Sequence, residues 1–330
     1  MQKIIEKITQ NQRFLVVSHT HPDGDAVGAL LAAGLALKSM GKDVQLYNES
    51  AIPAVYRFLP SVGAIKQKIA PKSTFDAAIV LDCGDIERVG KQAEAIGKVP
   101  LVINIDHHVT NSRFGHLQLI DVDACATSEI IYRLLKALPV EFDQAIATAI
   151  YTGILTDTGS FRFSNTNRSA FAICAEMIAH GADAYAVAQR VYGTYSLGRI
   201  KLLNLALDSL EISPNGRLSM MTLTQRMLRE TRTQAEDIDG IINYARRIED
   251  VRVAALIHEL NANGSATRGR RQFHVSLRSD GSVDVAAIAA RYGGGGHAGA
   301  SGFTIETTLT ELKGQLMALA DTIDSLCKTS

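Results

Sequence analysis

Four apolar segments of this 330-residue chain are each followed directly by acidic side chains, and in two cases by histidine as well. The first segment, FLVV, precedes SHTHPDGDAVG and brings His19, Asp23 and Asp25 into a seven-residue window. A carboxylate costs several kcal/mol to desolvate. Acidic groups gathered at the end of a buried strand therefore predict a bound cation.

The other three segments end at VLDCGD, NIDHHVTN and TGILTDTGSF. They add Asp82, the triplet Asp106, His107 and His108, and Asp157. Together the four segments supply roughly the seven or eight ligands that a two-metal phosphoesterase centre needs. Imidazole and carboxylate ligands without thiolate favour Mn²⁺, with Co²⁺ or Mg²⁺ as substitutes. The sequence thus predicts two divalent cations.

The first half of the chain alternates between strand and helix patterns, which predicts an α/β fold. Continuous apolar runs indicate a parallel sheet with helices on both faces. Ligands collect at the carboxyl ends of such strands, and most of the candidate residues fall there, whereas Asp157 follows a helical pattern. The predicted strands are FLVVSH, DVQLYN, FDAAIVLD, PLVINID and HLQLID.

The pattern changes in the last third of the chain, where RLSMMTLT, RVAALIHEL, RQFHVSLRS and SGFTIET read as strands. Helices are predicted at AEDIDGIINYARRIED, VDVAAIAARYG and LTELKGQLMALADTIDSL. A smaller α+β domain with antiparallel pairing is therefore expected. The predicted organisation is a metal-binding catalytic domain at 1–190, a helical linker at 191–209 and a substrate-binding domain at 210–330.

Composition restricts the function classes. The 34 basic residues are balanced by 34 acidic ones, which argues against a broad nucleic-acid-coating surface, so any nucleic-acid substrate should be short. The N-terminus has no long apolar segment, and the four cysteines form no CxxC pair, as in a reducing compartment. We expect a cytoplasmic enzyme without membrane contact; a homodimer is one option for its oligomeric state.

The four motifs resemble those of the DHH phosphoesterase superfamily, named for the triplet that stands here at 106–108. RYGGGGHAGASGF resembles the glycine-rich signature of the DHH-associated domain. The pair of domains is similar to the NrnA-like group of oligoribonucleases and pAp phosphatases, over nearly the whole chain. This resemblance implies that short single-stranded RNA is cut to 5′-mononucleotides and that 3′-phosphoadenosine 5′-phosphate (pAp) is cut to AMP.

The resemblance also implies residue roles in the metal centre. His19 and Asp23 would bind one metal, Asp82 would bridge both, and the second metal would be completed by Asp25, His107 and Asp157. His108 would donate a hydrogen bond or a proton to the phosphoryl group, with a structural imidazole as the alternative. Asp106 would orient a ligating histidine.

Substrate contacts are expected in the C-terminal part. Arg278 resembles the family arginine that grips a terminal phosphate. Gly294, Gly295 and Gly296 could form an anion-binding nest beside His297, while the alternative is a helix-terminating loop with Gly293 as its cap. Arg113 is a candidate phosphate neighbour. The roles of Arg268, Arg270 and Arg271 stay open, with a solvated hairpin loop favoured over a nucleic-acid contact.

Four other functions share parts of this pattern. An exopolyphosphatase or a phosphodiesterase of the linear dinucleotide pApA would need the same metals and an anion anchor. A non-catalytic nucleotide sensor would have no need for a bridging aspartate at Asp82. A family pyrophosphatase would carry a Ser-Arg-Lys motif, which is absent here.

Overall fold

A computed structural model of the chain describes residues 1–70, 74–260 and 270–323. The chain forms two compact units, Met1–Thr194 and Tyr195–Ser330. Within the described ranges, no helix combines the length and the apolar character needed to cross a membrane. The units are described separately below.

The strands of the first unit form one parallel sheet in the order β3-β2-β1-β4-β5-β6. The first three strands along the chain are β1 (Arg13–Ser18), β2 (Asp43–Tyr47) and β3 (Ile65–Lys66). The others are β4 (Ala77–Leu81), β5 (Val102–Asp106) and β6 (Leu117–Ile120). Strands β1, β4 and β5 are almost entirely buried, which explains their continuous apolar runs and confirms the predicted α/β fold.

Helices cover both faces of this sheet. Phe14 and Val16 of β1 pack towards the main helical layer, whereas Leu15 and Val17 pack towards α3 and its neighbouring turn. Short 3₁₀ turns occupy 54–56, 62–64 and 86–89, and a π-helical turn follows at 189–193. The helices are α1 (Gln2–Gln10), α2 (Gly24–Ser39), α3 (Ala93–Gly97), α4 (Thr127–Lys136), α5 (Gln144–Asp157), α6 (Arg168–Ala179) and α7 (Ala184–Ala188).

The second unit is built on a mixed sheet in the order β11-β12-β10-β9-β8-β7. Its strands are β7 (Glu211–Ile212), β8 (Leu218–Leu223), β9 (Val253–Glu259), β10 (Arg271–Ser279), β11 (Gly295–His297) and β12 (Ala300–Thr307). Its helices are α8 (Leu197–Asp208), α9 (Gln225–Thr231), α10 (Ile242–Arg246), α11 (Val285–Ala290) and α12 (Leu309–Ala320). One sheet face packs against α11 and α12, and part of the other against α8 and α10.

Two expectations for this unit were wrong in detail. The pairing of β9 with β10 is antiparallel as predicted, but β8 pairs with β9 in parallel. The chain between these two strands crosses over through α9 and α10, and a crossover of this kind returns the next strand in the same direction. The single helix predicted over AEDIDGIINYARRIED is a 3₁₀ turn at 235–238 followed by α10. Gly240, with a φ of 81°, separates them.

Candidate metal centre

Three neighbouring strands of the first unit deliver the centre of the candidate site. β1, β4 and β5 lie side by side and end at the same edge of the sheet, with Ser18 opposite Leu81. The next residue along the chain is His19 after β1, Asp82 after β4 and His107 after β5. The side chains of His19 and Asp82 are almost fully buried, at 5% and 1% exposure. The parallel sheet therefore gathers these three groups, as its topology predicts.

Helix ends supply the remaining carboxylates. Asp23 is the N-cap of α2, where its Oδ1 accepts the backbone N–H of Ala26 at 3.0 Å. Asp25 lies in the first turn of α2, and Asp157 is the last residue of α5. The two helices can approach closely because Gly28 has no side chain; a Cβ at this position would lie 2.5 Å from the carbonyl oxygen of Ala149. This packing brings the start of α2 to the end of α5.

Potential ligand atoms fall into groups whose members lie within 4.8 Å of one another. One group holds His19, Asp23 and Asp82, and another holds Asp25, His107 and Asp157. Asp82 faces both: its Oδ2 is 3.4 Å from Nε2 of His19, and its Oδ1 is 3.7 Å from Nε2 of His107. This partition matches the two ligand sets that the resemblance implies, although the assignment of each residue to a metal stays a prediction.

Both imidazoles of these groups are held in one orientation by the backbone. Nδ1 of His19 donates to the carbonyl of Thr20 at 2.8 Å, and Nδ1 of His107 donates to that of Ala124 at 3.3 Å. A carbonyl only accepts, so Nδ1 carries a proton, and Nε2 is the nitrogen that faces the carboxylates and can offer its lone pair to a cation. This is the tautomer that a metal ligand needs, and the donor set therefore fits divalent cations.

The N-terminus of α4 holds two of the carboxylates. Both oxygens of Asp25 accept backbone N–H groups, from Thr127 at 2.6 Å and from Ser128 at 2.9 Å. The Thr127 hydroxyl donates to Oδ1 of Asp82 at 2.9 Å. One residue thus positions a predicted ligand of each metal. The sequence analysis missed Thr127; the signal available was a Thr-Ser pair at the start of a predicted helix, where free N–H groups attract anions.

His108 contacts Asp106 as well as the candidate metal ligands. Its Nδ1 lies 2.7 Å from Oδ1 of Asp106, whose Oδ2 accepts from the Asn111 amide at 2.6 Å. Asp106 was expected to orient a ligating histidine, but it contacts His108 instead of His107. Nδ1 of His108 is also 3.7 Å from Oδ1 of Asp82, so Asp82, His107 and His108 form a third potential ligand group.

The electrostatics of the cluster favour cation binding. Burial raises the pKa of Asp25 to about 7, and burial together with the charge of Asp25 raises the pKa of Asp157 well above its ordinary range. Burial opposes charge on His19 and His107, but the surrounding carboxylates raise the pKa of each to about 9. Without cations, therefore, the carboxylates are either protonated or paired with positively charged imidazoles. Asp82 also has a left-handed φ of 57°, a strained conformation typical of functional sites.

The predicted substrate residues lie in both units. Arg113 lies exposed in the turn after β5, where its backbone N–H donates to Oδ1 of Asn111 at 2.6 Å. Arg278 is half-buried on β10 in the second unit, and its Nη1 donates to the carbonyl of Leu277 at 3.0 Å. Arg271 pairs with Glu259, Arg270 is exposed, and Arg268 lies outside the described residues.

The glycine run was expected in a loop, but its second half, Gly295 and Gly296, belongs to the edge strand β11, which pairs with β12. The C-cap of α11 is Arg291 rather than Gly293. Gly293, with a φ of 73°, lies in the turn that follows, where the N–H of Gly294 donates to the carbonyl of Ala289 at 3.0 Å. A Cβ on Gly294 would lie 2.2 Å from the carbonyl of Gly302, so close strand pairing accounts for this glycine. The side chain of His297 lies outside the described residues.

Known proteins match this chain in both of its units. The family profile described as "DHH family, N-terminal domain" matches residues 13–154, and that of the "DHHA1 domain" matches residues 220–329. A Thermus thermophilus protein named "Bifunctional oligoribonuclease and PAP phosphatase NrnA" is 33% identical over 295 residues, which cover 88% of this chain and 83% of that protein. A Bacillus subtilis protein of the same name is 26% identical over 308 residues, 92% of each chain.

One solved structure is similar over its whole length. It is the crystal structure of an exopolyphosphatase-related protein from Bacteroides fragilis, with a TM-score of 0.90 and 26% sequence identity. The similarity covers 98% of this chain and 96% of that one. Both units described above therefore have counterparts in a single solved chain.

Proposed function

The chain belongs to the DHH family of phosphoester-hydrolysing enzymes, and from that premise we propose that it is a two-metal phosphoesterase acting on short oligoribonucleotides and on pAp. The observation that carries the proposal is the position of Asp82. Its two oxygens face two different histidines, at 3.4 Å and 3.7 Å, and each histidine belongs to its own group with a further carboxylate. A shared carboxylate of this kind is what a pair of adjacent cations requires.

In this proposal His19, Asp23 and Asp82 hold one cation, and Asp82, Asp25, His107 and Asp157 hold the other. When bound, the cations would polarise the phosphoryl oxygens and lower the pKa of the attacking water. The donor set of imidazoles and carboxylates supports Mn²⁺, with Co²⁺ or Mg²⁺ as substitutes. The α4 N-terminus keeps Asp25 and Asp82 in place through Thr127, so the chain itself fixes the spacing of the two ligand groups.

His108 is assigned to the phosphoryl group. Its Nδ1–H donates a hydrogen bond to Asp106, and Asp106 accepts another from the side-chain amide of Asn111. In this proposal Nε2 donates a hydrogen bond or a proton to a phosphoryl oxygen. Asp106 acts through His108 in this scheme and is therefore a positioning residue.

The proposed substrates are oligoribonucleotides of a few residues, cut to 5′-mononucleotides, and pAp, cut to AMP. The names of the Thermus and Bacillus relatives support both activities. The equal numbers of basic and acidic residues support short over long polyanions. We assign substrate affinity to Arg278 and to the glycine segment Gly294, Gly295, Gly296 and His297, with Arg113 as a further phosphate contact.

Hydrolysis of polyphosphate is the second candidate function. The observation that favours it is the similarity over nearly the whole chain to the exopolyphosphatase-related protein of Bacteroides fragilis. Polyphosphate and nucleotides both present a phosphoanhydride or phosphoester to the same metals. The pApA phosphodiesterase alternative needs the same centre, and only substrate preference separates the three.

A substrate panel tests the proposal. The full chain with Mn²⁺ is assayed on pAp, pApA, RNA of roughly two to seven residues, a long RNA and polyphosphate. We expect pAp and the shortest RNAs to give the highest kcat/KM. Preference for polyphosphate would replace the proposed substrates with the second candidate, and equal efficiency per end on the long RNA would refute the preference for short chains.

A further inference from the structure

One short segment of the first unit, residues 124–128, contacts most of the ligands predicted for the second cation. It comprises the last three residues before α4 and the first two of that helix, and all five are buried. Its hydrogen bonds come from the carbonyl of Ala124 and from the polar groups of Thr127 and Ser128. The ligands that it contacts are His107, Asp25 and Asp82.

The fourth ligand, Asp157, reaches the same segment through Asn165. The Nδ2 of Asn165 donates to the carbonyl of Cys125 at 2.8 Å and to the carbonyl of Asp157 at 3.1 Å. It also lies 3.4 Å from Oδ2 of Asp157. Each of these neighbours is an acceptor, so the amide nitrogen and not the amide oxygen must face them. Asn165 therefore connects the end of α5 to the 124–128 segment.

A left-handed turn after α5 brings Asn165 back to the last residue of that helix. Gly159, Ser160 and Phe161 have φ values of 57°, 61° and 62°, which is unfavourable for the two residues with a Cβ. The ring of Phe161 stacks on that of Phe171 in α6, with 4.8 Å between the centroids. The Oδ1 of Asn165 is buried and has no hydrogen-bond partner among the described residues. Backbone strain and an unsatisfied acceptor both oppose folding, so we infer that the position of Asn165 serves function.

The ligands predicted for the other cation alone are held by a different part of the chain. Nδ1 of His19 donates to the carbonyl of Thr20 at 2.8 Å, and Asp23 accepts from the N–H of Ala26 at 3.0 Å. Both contacts are made within the loop after β1 and the first turn of α2. A change at Asn165 should therefore act on one ligand group and spare the other.

We propose that Asn165 is a positioning residue for the second cation, because it fixes Asp157 against the segment that holds the other three ligands. Asn165 acts through Asp157 and has no assigned contact with substrate. The inference rests on the proposed function for the presence of two cations. It adds a residue eight positions beyond the last predicted ligand, outside the four sequence motifs.

Calorimetric titration of the metal-free full chain with Mn²⁺ tests the proposal. We expect two binding steps in the wild type, and Asn165→Ala should weaken one step by about tenfold or more and leave the other within about twofold. Asn167→Ala is the matched control. Asn167 caps α6 by accepting from the N–H of Ala170 at 2.8 Å and donates to the carbonyl of Asp123 at 3.2 Å. Its replacement should lower Tm and leave both Mn²⁺ affinities within about twofold.

Unchanged steps in Asn165→Ala, equal weakening of both steps, or the same loss in Asn167→Ala would overturn the proposal. Asn165→Ser keeps one donor and should give a smaller loss at the same step, so a variant remains if Asn165→Ala does not fold.

Fewer than two Mn²⁺ ions bound by the wild type would refute the proposed function, and crystal structures of the metal-free proteins then decide the role of Asn165. A displaced Asp157 carboxylate in Asn165→Ala, with that of Asn167→Ala in place, would support the positioning role. An unmoved carboxylate in Asn165→Ala would refute it.

Discussion

The two units hold their charged side chains in opposite ways. In the first, each of the six predicted metal ligands makes a hydrogen bond to the chain, through Thr20, Ala26, Ala124, Thr127, Ser128 or Asn165. In the second, the hydrogen bonds that Arg246 and Arg278 make within the described residues go to main-chain carbonyls. Backbone, hydroxyl and amide donors therefore hold the carboxylates of the first unit, whereas backbone carbonyls meet these two guanidinium groups of the second.

Removing the shared carboxylate should have the largest effect. Asp82→Ala is expected to lower hydrolysis of every substrate by roughly a thousandfold or more, because its carboxylate lies near the histidines of both ligand groups. Metal content by elemental analysis and kcat are the measurements. Asp85→Asn is the control, since Asp85 lies in the same loop and caps the turn that follows. Substantial turnover with normal metal content would refute the bridging assignment.

His108→Ala separates phosphoryl contact from metal binding. We expect it to keep both metals and to lose about a hundredfold in kcat, because the ring is assigned to the phosphoryl group. Metal stoichiometry decides the alternative: loss of one metal would show that His108 is a ligand, as its group with Asp82 and His107 allows.

Arg278→Ala tests the phosphate contact that we assign to the second unit. It should raise KM for pAp by about ten- to a hundredfold, as expected for loss of a charge-assisted contact of about 1.5–3 kcal/mol. A small chromogenic phosphodiester should be affected far less, since it has no second phosphate. Arg291→Ala removes an exposed arginine of the same unit as a control. Equal effects on both substrates would place Arg278 in the chemistry or in folding.

Thr127→Val tests whether the α4 N-terminus preorganises the centre. The change removes the hydroxyl that donates to Asp82 and keeps the shape of the side chain. We expect metal affinity to fall about tenfold, measured by titration with Mn²⁺. Thr152→Val is the matched control, because its buried hydroxyl bonds only to the carbonyl of Thr148 within α5. Similar affinities in the two variants would show that Thr127 has no positioning role.

The smallest effect concerns the metal-free protein. The pKa of Asp157 is raised in the folded state by burial and by Asp25, so folding takes up protons and stability falls as pH rises above about 4, the ordinary range of Asp. Asp157→Asn removes this penalty. It should raise Tm by about 2–4 °C for each kcal/mol recovered, most at pH 8 and not at all near pH 4. A pH-independent change in Tm would contradict the electrostatic cause. With saturating Mn²⁺ the wild type should have a higher Tm than Asp157→Asn.

Local patterns in the first unit were sufficient for most of its fold. FLVVSH, FDAAIVLD and PLVINID are strands because each carries a continuous apolar run, and both sheet faces are indeed covered. The second unit was harder, because strand direction depends on how the chain returns to the sheet. The segment between β8 and β9 contains α9 and α10, and this crossover makes the pair parallel, but the sequence pattern does not show that these two strands are neighbours in the sheet.

In the candidate metal centre, the residues that could be predicted lie close together in the sequence or directly follow a strand. His19, Asp23 and Asp25 share one motif, and Asp82 and His107 each follow a strand, so their meeting at one edge follows from the parallel sheet. The contact of Asp106 with His108 instead of His107 depends on the turn that carries Asn111. No pattern of residue types specifies which of two adjacent histidines such a carboxylate meets.

By itself the sequence determined the chemistry of this protein: an imidazole and carboxylate set at the ends of buried strands, two domains and the family to which they belong. Only the tertiary structure decided which polar groups form hydrogen bonds with one another. Thr127 meets Asp25 across 102 residues of the chain and Asp82 across 45, and Arg246 meets the end of β10 through helix packing. Such contacts depend on the packing of whole elements, which local patterns do not encode.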